Sequence, residues 1–181
     1  TFNLANPSGA GCGVSTDDVA GARQAVHYLA ELGHRRIAHF SVSDQPSEYI
    51  AARRNGYLAG MRECAPDSIR LIEGVSLGFK SNLAMLQEVL REPDDVRPSA
   101  LLCATDFLAQ EVFQAAYSLD MRIPERLSLI GFGGLSISRY SPVPLATLVQ
   151  PFREMGMCAM RKLLEAVEEQ DNIDGVNILL P

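Results

Sequence analysis

Residues 121–151 read MRIPERLSLIGFGGLSISRYSPVPLATLVQP, and this stretch decides the fold. Leu127 to Phe132 is a short β-rich run with Pro124 before it and Gly131, Gly133 and Gly134 at its end. Such a run suits a strand buried on both faces of a parallel sheet. Leu145 to Val149 follows as a second strand after a proline-punctuated loop, and Pro151 can occupy the first turn of a helix over 152–169. Ligands of open parallel sheets bind outside the carboxyl ends of strands, which places the turn Gly133-Gly134-Leu135-Ser136 where a ligand would be met.

Outward from this stretch the chain alternates between strand-like and helix-like segments. Phe2 to Ala5 reads as a short strand and Pro7 to Gly13 as a loop of small residues. Gly9, Gly11 and Gly13 fail as a dinucleotide loop, because Val14 interrupts the pattern and no compact strand-to-helix turn surrounds it. A helix capped by Asp17 runs to Leu32, with Val19, Ala22, Val26 and Leu29 at helical spacing and Gly33 ending it. Strands are predicted at 37–42, 69–72, 99–104 and 176–180, and helices at 47–64, 81–91 and 106–119, the last with Asp106 as its cap. Short βαβ units of this kind imply an α/β fold with a doubly wound parallel sheet.

Composition narrows the function classes. The 181 residues carry 47% hydrophobic and 21% charged side chains, a globular balance, and allow one domain or one domain and part of another. A net charge of -6 argues against a general nucleic-acid or anionic-membrane surface. Cys12, Cys64, Cys103 and Cys158 form no CxxC pair, and His27, His34 and His39 offer no metal pair on one helix face, so no metal and no cofactor is expected. A GxSxG elbow is absent, and GFGG lacks the lysine and hydroxyl of a phosphate loop, so an enzyme is not expected. No window is apolar enough to span a bilayer, and a reduced, cytoplasmic setting fits the scattered thiols. The opening TFNLANPSGAG, in mid-pattern and without methionine, reads as a segment of a longer protein.

Several motifs in register carry a resemblance. They are Gly33-His34-Arg35-Arg36-Ile37-Ala38, Arg53 three residues before Gly56-Tyr57, Ala104-Thr105-Asp106, Ile123-Pro124-Glu125-Arg126-Leu127-Ser128-Leu129-Ile130-Gly131-Phe132, Pro144-Leu145-Ala146-Thr147, Gln150-Pro151 and Met155-Gly156. From about Val14 to Pro181 the chain resembles the effector-binding core of LacI/GalR-type bacterial transcription regulators, a periplasmic-binding-protein-like fold of two flavodoxin-like subdomains with the ligand between them. The resemblance implies that 19–149 with 177–181 is the second subdomain, and that 1–18 with 152–176 is part of the first. The helix-turn-helix of that family has no counterpart here, so DNA would be met only through a domain outside this chain.

The resemblance also implies a ligand set. Arg53 stands where the family places an effector-binding arginine, a role suited to its planar fork of donors. Thr105 takes the place of the usual asparagine. Phe152 matches a cleft-lining position, with a core phenylalanine as the competing reading, and Asn6 aligns with a polar contact. Tyr49, one helical turn before Arg53, can stack on a ligand or pack. The aromatic usual after Glu73-Gly74 is missing, with Phe79 as a substitute. Gly133-Gly134 replaces an aspartate pair, which removes an acceptor for about 1.5–3 kcal/mol of charge-assisted hydrogen bonding. The implied ligand is therefore a sugar, a sugar phosphate or another small metabolite, with an anionic or less hydroxylated molecule favoured. A homodimer through helix 106–119 and loop 135–143, with Leu135 and Tyr140 exposed, is the implied assembly. A solute-binding protein of a transport system is the alternative.

Overall fold

A computed structural model describes residues 12–43, 47–75, 82–140, 143–169 and 176–181. The predicted strand at Phe2 to Ala5, the loop up to Gly11, Asn6 and Phe79 lie outside them. Two compact units divide the chain: residues 1–18 with 150–181, and residues 19–149.

Among its described residues the larger unit holds five parallel strands and four α-helices. Strand β2 (Ile37–Val42) is followed by helix α2 (Glu48–Cys64), β3 (Arg70–Gly74), α3 (Leu83–Leu90), β4 (Ala100–Cys103), α4 (Asp106–Tyr117), β5 (Ser128–Gly133) and β6 (Ala146–Val149). Helix α1 (Asp18–Glu31) precedes them, after β1 (Gly13–Thr16). The sheet order is β3-β2-β4-β5-β6 with every pairing parallel. All six residues of β2 and all four of β4 are buried, the signature of central strands covered on both faces.

Residue alternation divides the core into two layers. Ala38, Phe40, Val42, Leu101, Cys103 and Leu129 face α3 and α4, where Leu86, Leu90, Leu108 and Val112 meet them. Ile37, Ala100, Leu102, Ile130 and Phe132 face α1 and α2, against Ala22, Val26, Leu29, Tyr57 and Met61. Gly33 ends α1 with φ +95, and the following His34 amide returns to the Leu29 carbonyl at 3.1 Å. His34 then bridges Ser99 and Ser128 at 2.9 Å each, while Arg36 donates to the carbonyls of Asp94 and Arg97. The basic cluster 34–36 thus fastens a turn to neighbouring strands.

Helices α1 and α2 approach closely because α2 carries glycine at 56 and 60. A Cβ at Gly56 would meet the Val19 carbonyl oxygen, and one at Gly60 would lie 2.8 Å from Val26 Cβ. The first contact is with backbone, which cannot rotate away.

The smaller unit contains β1, α5 (Phe152–Glu169) and β7 (Asn177–Leu180), with β1 and β7 paired in parallel from Gly13↔Asn177 to Thr16↔Leu180. Two expectations are corrected here. Residues 13–16 form a strand where the sequence suggested the end of a loop and the approach to a helix. Residues 177–180 pair with that strand and belong to this unit, so the assignment of 177–181 to the other subdomain does not hold. The pairing joins residues more than 160 apart in sequence, which no local pattern reports. Within this unit Gln150 Nε2 donates to Thr16 Oγ1 at 2.7 Å, and Thr16 Oγ1 donates to Asp18 Oδ1 at 2.6 Å.

Two predictions concern stability. Gly56→Ala gains up to about 1 kcal/mol in helix propensity, but the overpacking costs about 1–3 kcal/mol. Urea unfolding should show a lowered midpoint with an unchanged slope. His39, in the middle of β2, is fully buried with neither ring nitrogen hydrogen-bonded. Burial, with Arg54 and Arg53 nearby, holds its pKa down at about 3. Between the ordinary value near 6.5 and 3 the unfolded chain binds a proton that the folded chain refuses. Stability present above pH 6.5 is therefore lost as pH falls, by about 1.4 kcal/mol per unit. Denaturation curves at pH 7 and 5 should show this difference, and His39→Leu should remove most of it, leaving the smaller share of His34, whose pKa burial also lowers.

Candidate functional site

The order β3-β2-β4 reverses direction at β2, so the crevice beyond the carboxyl ends of β2 and β4 is the topological switch point of the sheet. Ala104, the residue after β4, donates its amide to the Phe40 carbonyl on β2 at 2.8 Å. Its own carbonyl accepts from Arg53 Nη1 at 2.7 Å. Arg53 is therefore brought to the switch point by α2, the helix that connects β2 to β3.

Arg53 is 3% exposed, and its guanidinium is stacked with two aromatic rings. Its Cζ lies 3.9 Å from the Phe132 ring centroid and 4.8 Å from that of Tyr49. Ring faces attract cations by their quadrupole, to about 2 kcal/mol or more where water is excluded. A buried cation needs such compensation, because desolvation otherwise works against it. Tyr49 and Arg53 are thus brought together as their i, i+4 spacing predicts. Phe132, which the sequence offered only as a strand residue, is the contact that reading missed. Its signal was its place at the carboxyl end of β5, two residues beyond Ile130 on the same face.

Thr105 takes the capping role expected of Asp106. Thr105 Oγ1 accepts from the Leu108 amide at 3.2 Å, so the threonine is the cap of α4. Asp106 is the first helical residue and is fully buried. Its Oδ2 accepts from the Leu135 amide at 2.6 Å, and its Oδ1 accepts from Thr147 Oγ1 at 2.6 Å. Thr147 Oγ1 in turn accepts from the Gly134 amide at 3.2 Å.

This carboxylate explains the glycines of the turn. A Cβ at Gly131 would collide with Asp106 Oδ1. Gly133 and Gly134 hold φ of +130 and +70, a region that disfavours side chains. The amides of residues 134 and 135 are spent on Thr147 and Asp106, which makes the turn a rigid edge of the site. Gly133 itself pairs with Val149 across β5 and β6.

Phe152, the first residue of α5, is 37% exposed and belongs to the smaller unit. The structure therefore gathers Tyr49, Arg53, Thr105 and Gly133 around the ends of β4 and β5, with Phe132 among them, and holds Phe152 in the other unit. The described residues contain no group of His, Cys, Asp and Glu able to hold a metal ion.

Comparison with known proteins agrees with this architecture. Residues 26–181 match the periplasmic binding protein-like domain model. The repressor CytR of Escherichia coli K12 is 30% identical over 159 residues, which are 87% of this chain and 46% of that protein. The ribose operon repressor of Haemophilus influenzae is 28% identical over 82% of this chain and 44% of its own length. A crystal structure of a LacI-family regulatory protein from Chloroflexus aggregans superposes with a TM-score of 0.83 at 31% identity, covering 99% of this chain and 63% of that one. The chain spans about half the length of the curated relatives it matches. It belongs to the periplasmic binding protein-like domain family, in the LacI/GalR branch, of whose effector-binding core it covers a part.

Proposed function

We propose that this chain is the small-molecule-sensing and dimerising part of a LacI/GalR-type transcriptional regulator acting as a repressor, and that Arg53 is its principal effector contact. The observation that carries the reading is the placement of a buried, ring-stacked arginine at the switch point between β2 and β4. A guanidinium immobilised in this way meets a ligand oxygen without first losing side-chain freedom. Relatives named as repressors support the regulatory reading over a transport protein, and they are regulators rather than enzymes.

The effector class follows from which acceptors the site has surrendered. Gly133-Gly134 offers no side chain, and both oxygens of the buried Asp106 are engaged within the turn. A polyhydroxylated neutral sugar finds few acceptors there, whereas an anionic metabolite meets Arg53. Phe152 and Asn6 are proposed as further ligand contacts. Five apolar residues of α5, namely Met157, Met160, Leu163, Leu164 and Val167, are more than half exposed in that unit. We assign them to burial by the remainder of the first subdomain.

Helix α4 and the segment after β5 are proposed as the dimer surface. Phe107, Tyr117 and Tyr140 are 50%, 84% and 86% exposed, a density of aromatic surface that favours association. DNA would be bound by a domain outside this chain. Among the described residues no helix is long and apolar enough to cross a membrane.

Titration calorimetry of the intact protein with sugars, sugar phosphates and organic acids should find an anionic ligand. Arg53→Lys keeps the charge but loses the planar fork, and should weaken its binding by about 10–100-fold, equivalent to one charged hydrogen bond of about 1.5–3 kcal/mol. Tight binding of a neutral monosaccharide, indifferent to Arg53, would overturn the assignment. Asp106→Asn should lower folding stability by about 2–3 kcal/mol in urea, since one of two charge-assisted bonds loses its acceptor. A ligand contact at Asp106 would instead show as lost affinity at unchanged stability.

A further inference from the structure

Away from Arg53, the seam between α1 and α2 holds a thiol already paired with a base. Cys64 Sγ lies 3.4 Å from His27 Nδ1. His27 Nε2 lies 2.7 Å from Glu63 Oε2, and the same carboxylate accepts from Arg23 Nε at 3.1 Å and from Arg23 Nη2 at 3.0 Å. The order is thiol, imidazole, carboxylate, guanidinium, with each group held by the next. With Nε2–H donating to Glu63, the Nδ1 lone pair faces the thiol, which is the arrangement of a nucleophile with an oriented base.

The fold makes this pairing persistent. Residues 56, 60 and 64 follow one another at i, i+4 and i+8 on α2, so Cys64 continues the face on which Gly56 and Gly60 admit α1. His27 sits one residue beyond Val26, which packs on Gly60. Cys64 is half-buried at the last residue of α2, reachable by solvent yet fixed against its base. It is eleven residues from Arg53, about 16 Å along the helix, and is thus separate from the effector site. The charged groups facing the pair are Arg23 from α1 and Glu63 from α2. The helix C-terminus gives no help to negative charge, and the group placed to take the thiol proton is the imidazole at 3.4 Å.

The surroundings also select the reaction. The Ala65 amide beside the thiol is bonded to the Met61 carbonyl at 2.8 Å, and so is not aimed at a developing oxyanion. Displacement at sulfur develops none. We propose that Cys64 is a reversible modification site that exchanges with low-molecular-weight disulfides, with His27 as proton acceptor and Glu63 positioning the imidazole. The thiol proton passes to His27 Nδ1 and the sulfur attacks one sulfur of the disulfide. The new S–S bond forms as the old one breaks, and the departing thiolate recovers the proton from His27. One small thiol is released per adduct, and the disulfide is the only oxidant required.

Cys103 serves as an internal contrast, because it is fully buried and its thiol is raised well above the ordinary range by desolvation, then by Asp106 and Glu111. The test treats the full-length protein at neutral pH with glutathione disulfide or with 4,4′-dithiodipyridine, and follows each cysteine by peptide mass spectrometry. Cys64 should be modified about tenfold faster than the half-buried Cys158. His27→Gln should slow Cys64 by about tenfold while leaving the rate at Cys158 and the thermal midpoint unchanged. Glu63→Gln, at an exposed side chain, should slow Cys64 in the same direction and serves if H27Q loosens the seam. Equal rates at Cys64 and Cys158, or a Cys64 rate that both variants leave unchanged or raise, would overturn the proposal.

Discussion

The fully buried Asp106 carboxylate ties together the parts of the sheet on which the site rests. It begins α4, immediately after the β4 end that Arg53 touches, and it accepts from the turn after β5 and from Thr147 on β6. A carboxylate withdrawn from water must receive hydrogen bonds from its surroundings or be strongly disfavoured. The Leu135 amide and the Thr147 hydroxyl supply them, and in doing so fix where β5 may turn. The glycines at 131, 133 and 134 follow from that constraint, the first through space and the others through backbone angle.

Arg53 depends on the same construction at one remove. Phe132, the ring 3.9 Å from its guanidinium, lies between Gly131 and Gly133, so the Asp106 turn sets the path of the strand that presents it. On the other side, Arg53 rides on α2, whose approach to α1 is set by Gly56 and Gly60. A Cβ at Gly21 of α1 would lie 3.4 Å from the Phe132 ring, which makes α1 the third wall around it. The arginine is thus positioned by two close approaches, each of which requires glycine for lack of space.

Much of this architecture is legible in the sequence, for reasons that also explain the exceptions. β2 and the central strands announce themselves as apolar runs, and Gly33 marks a helix end by its left-handed backbone. The rule that ligands meet the carboxyl ends of strands leads to the turn at 133, and the family resemblance to residues 49, 53 and 105, before any coordinate is known. Thr105 and Asp106 were harder to separate, because both are good cap residues in adjacent positions. The choice between them is made by Leu135 and Thr147, which are 29 and 41 residues away from Asp106. The partnership of β1 with β7 is hidden for the same reason, since four-residue strands carry too little pattern to reveal a distant partner.

Gly133-Gly134 looked from sequence like a site that had lost its chemistry, and Asp106 looked like a local cap. In three dimensions the two belong to one arrangement. The turn dispenses with its own side chains while a carboxylate from the neighbouring strand end lies beneath it, 3.6 Å from where a Gly133 Cβ would stand. An aspartate placed at 133 would bring a second negative group close to the first and would require φ +130 of a residue with a side chain. The glycine turn and the inward carboxylate are therefore packed as one unit in this chain, and a side chain at 133 would have to take φ +130 beside Asp106.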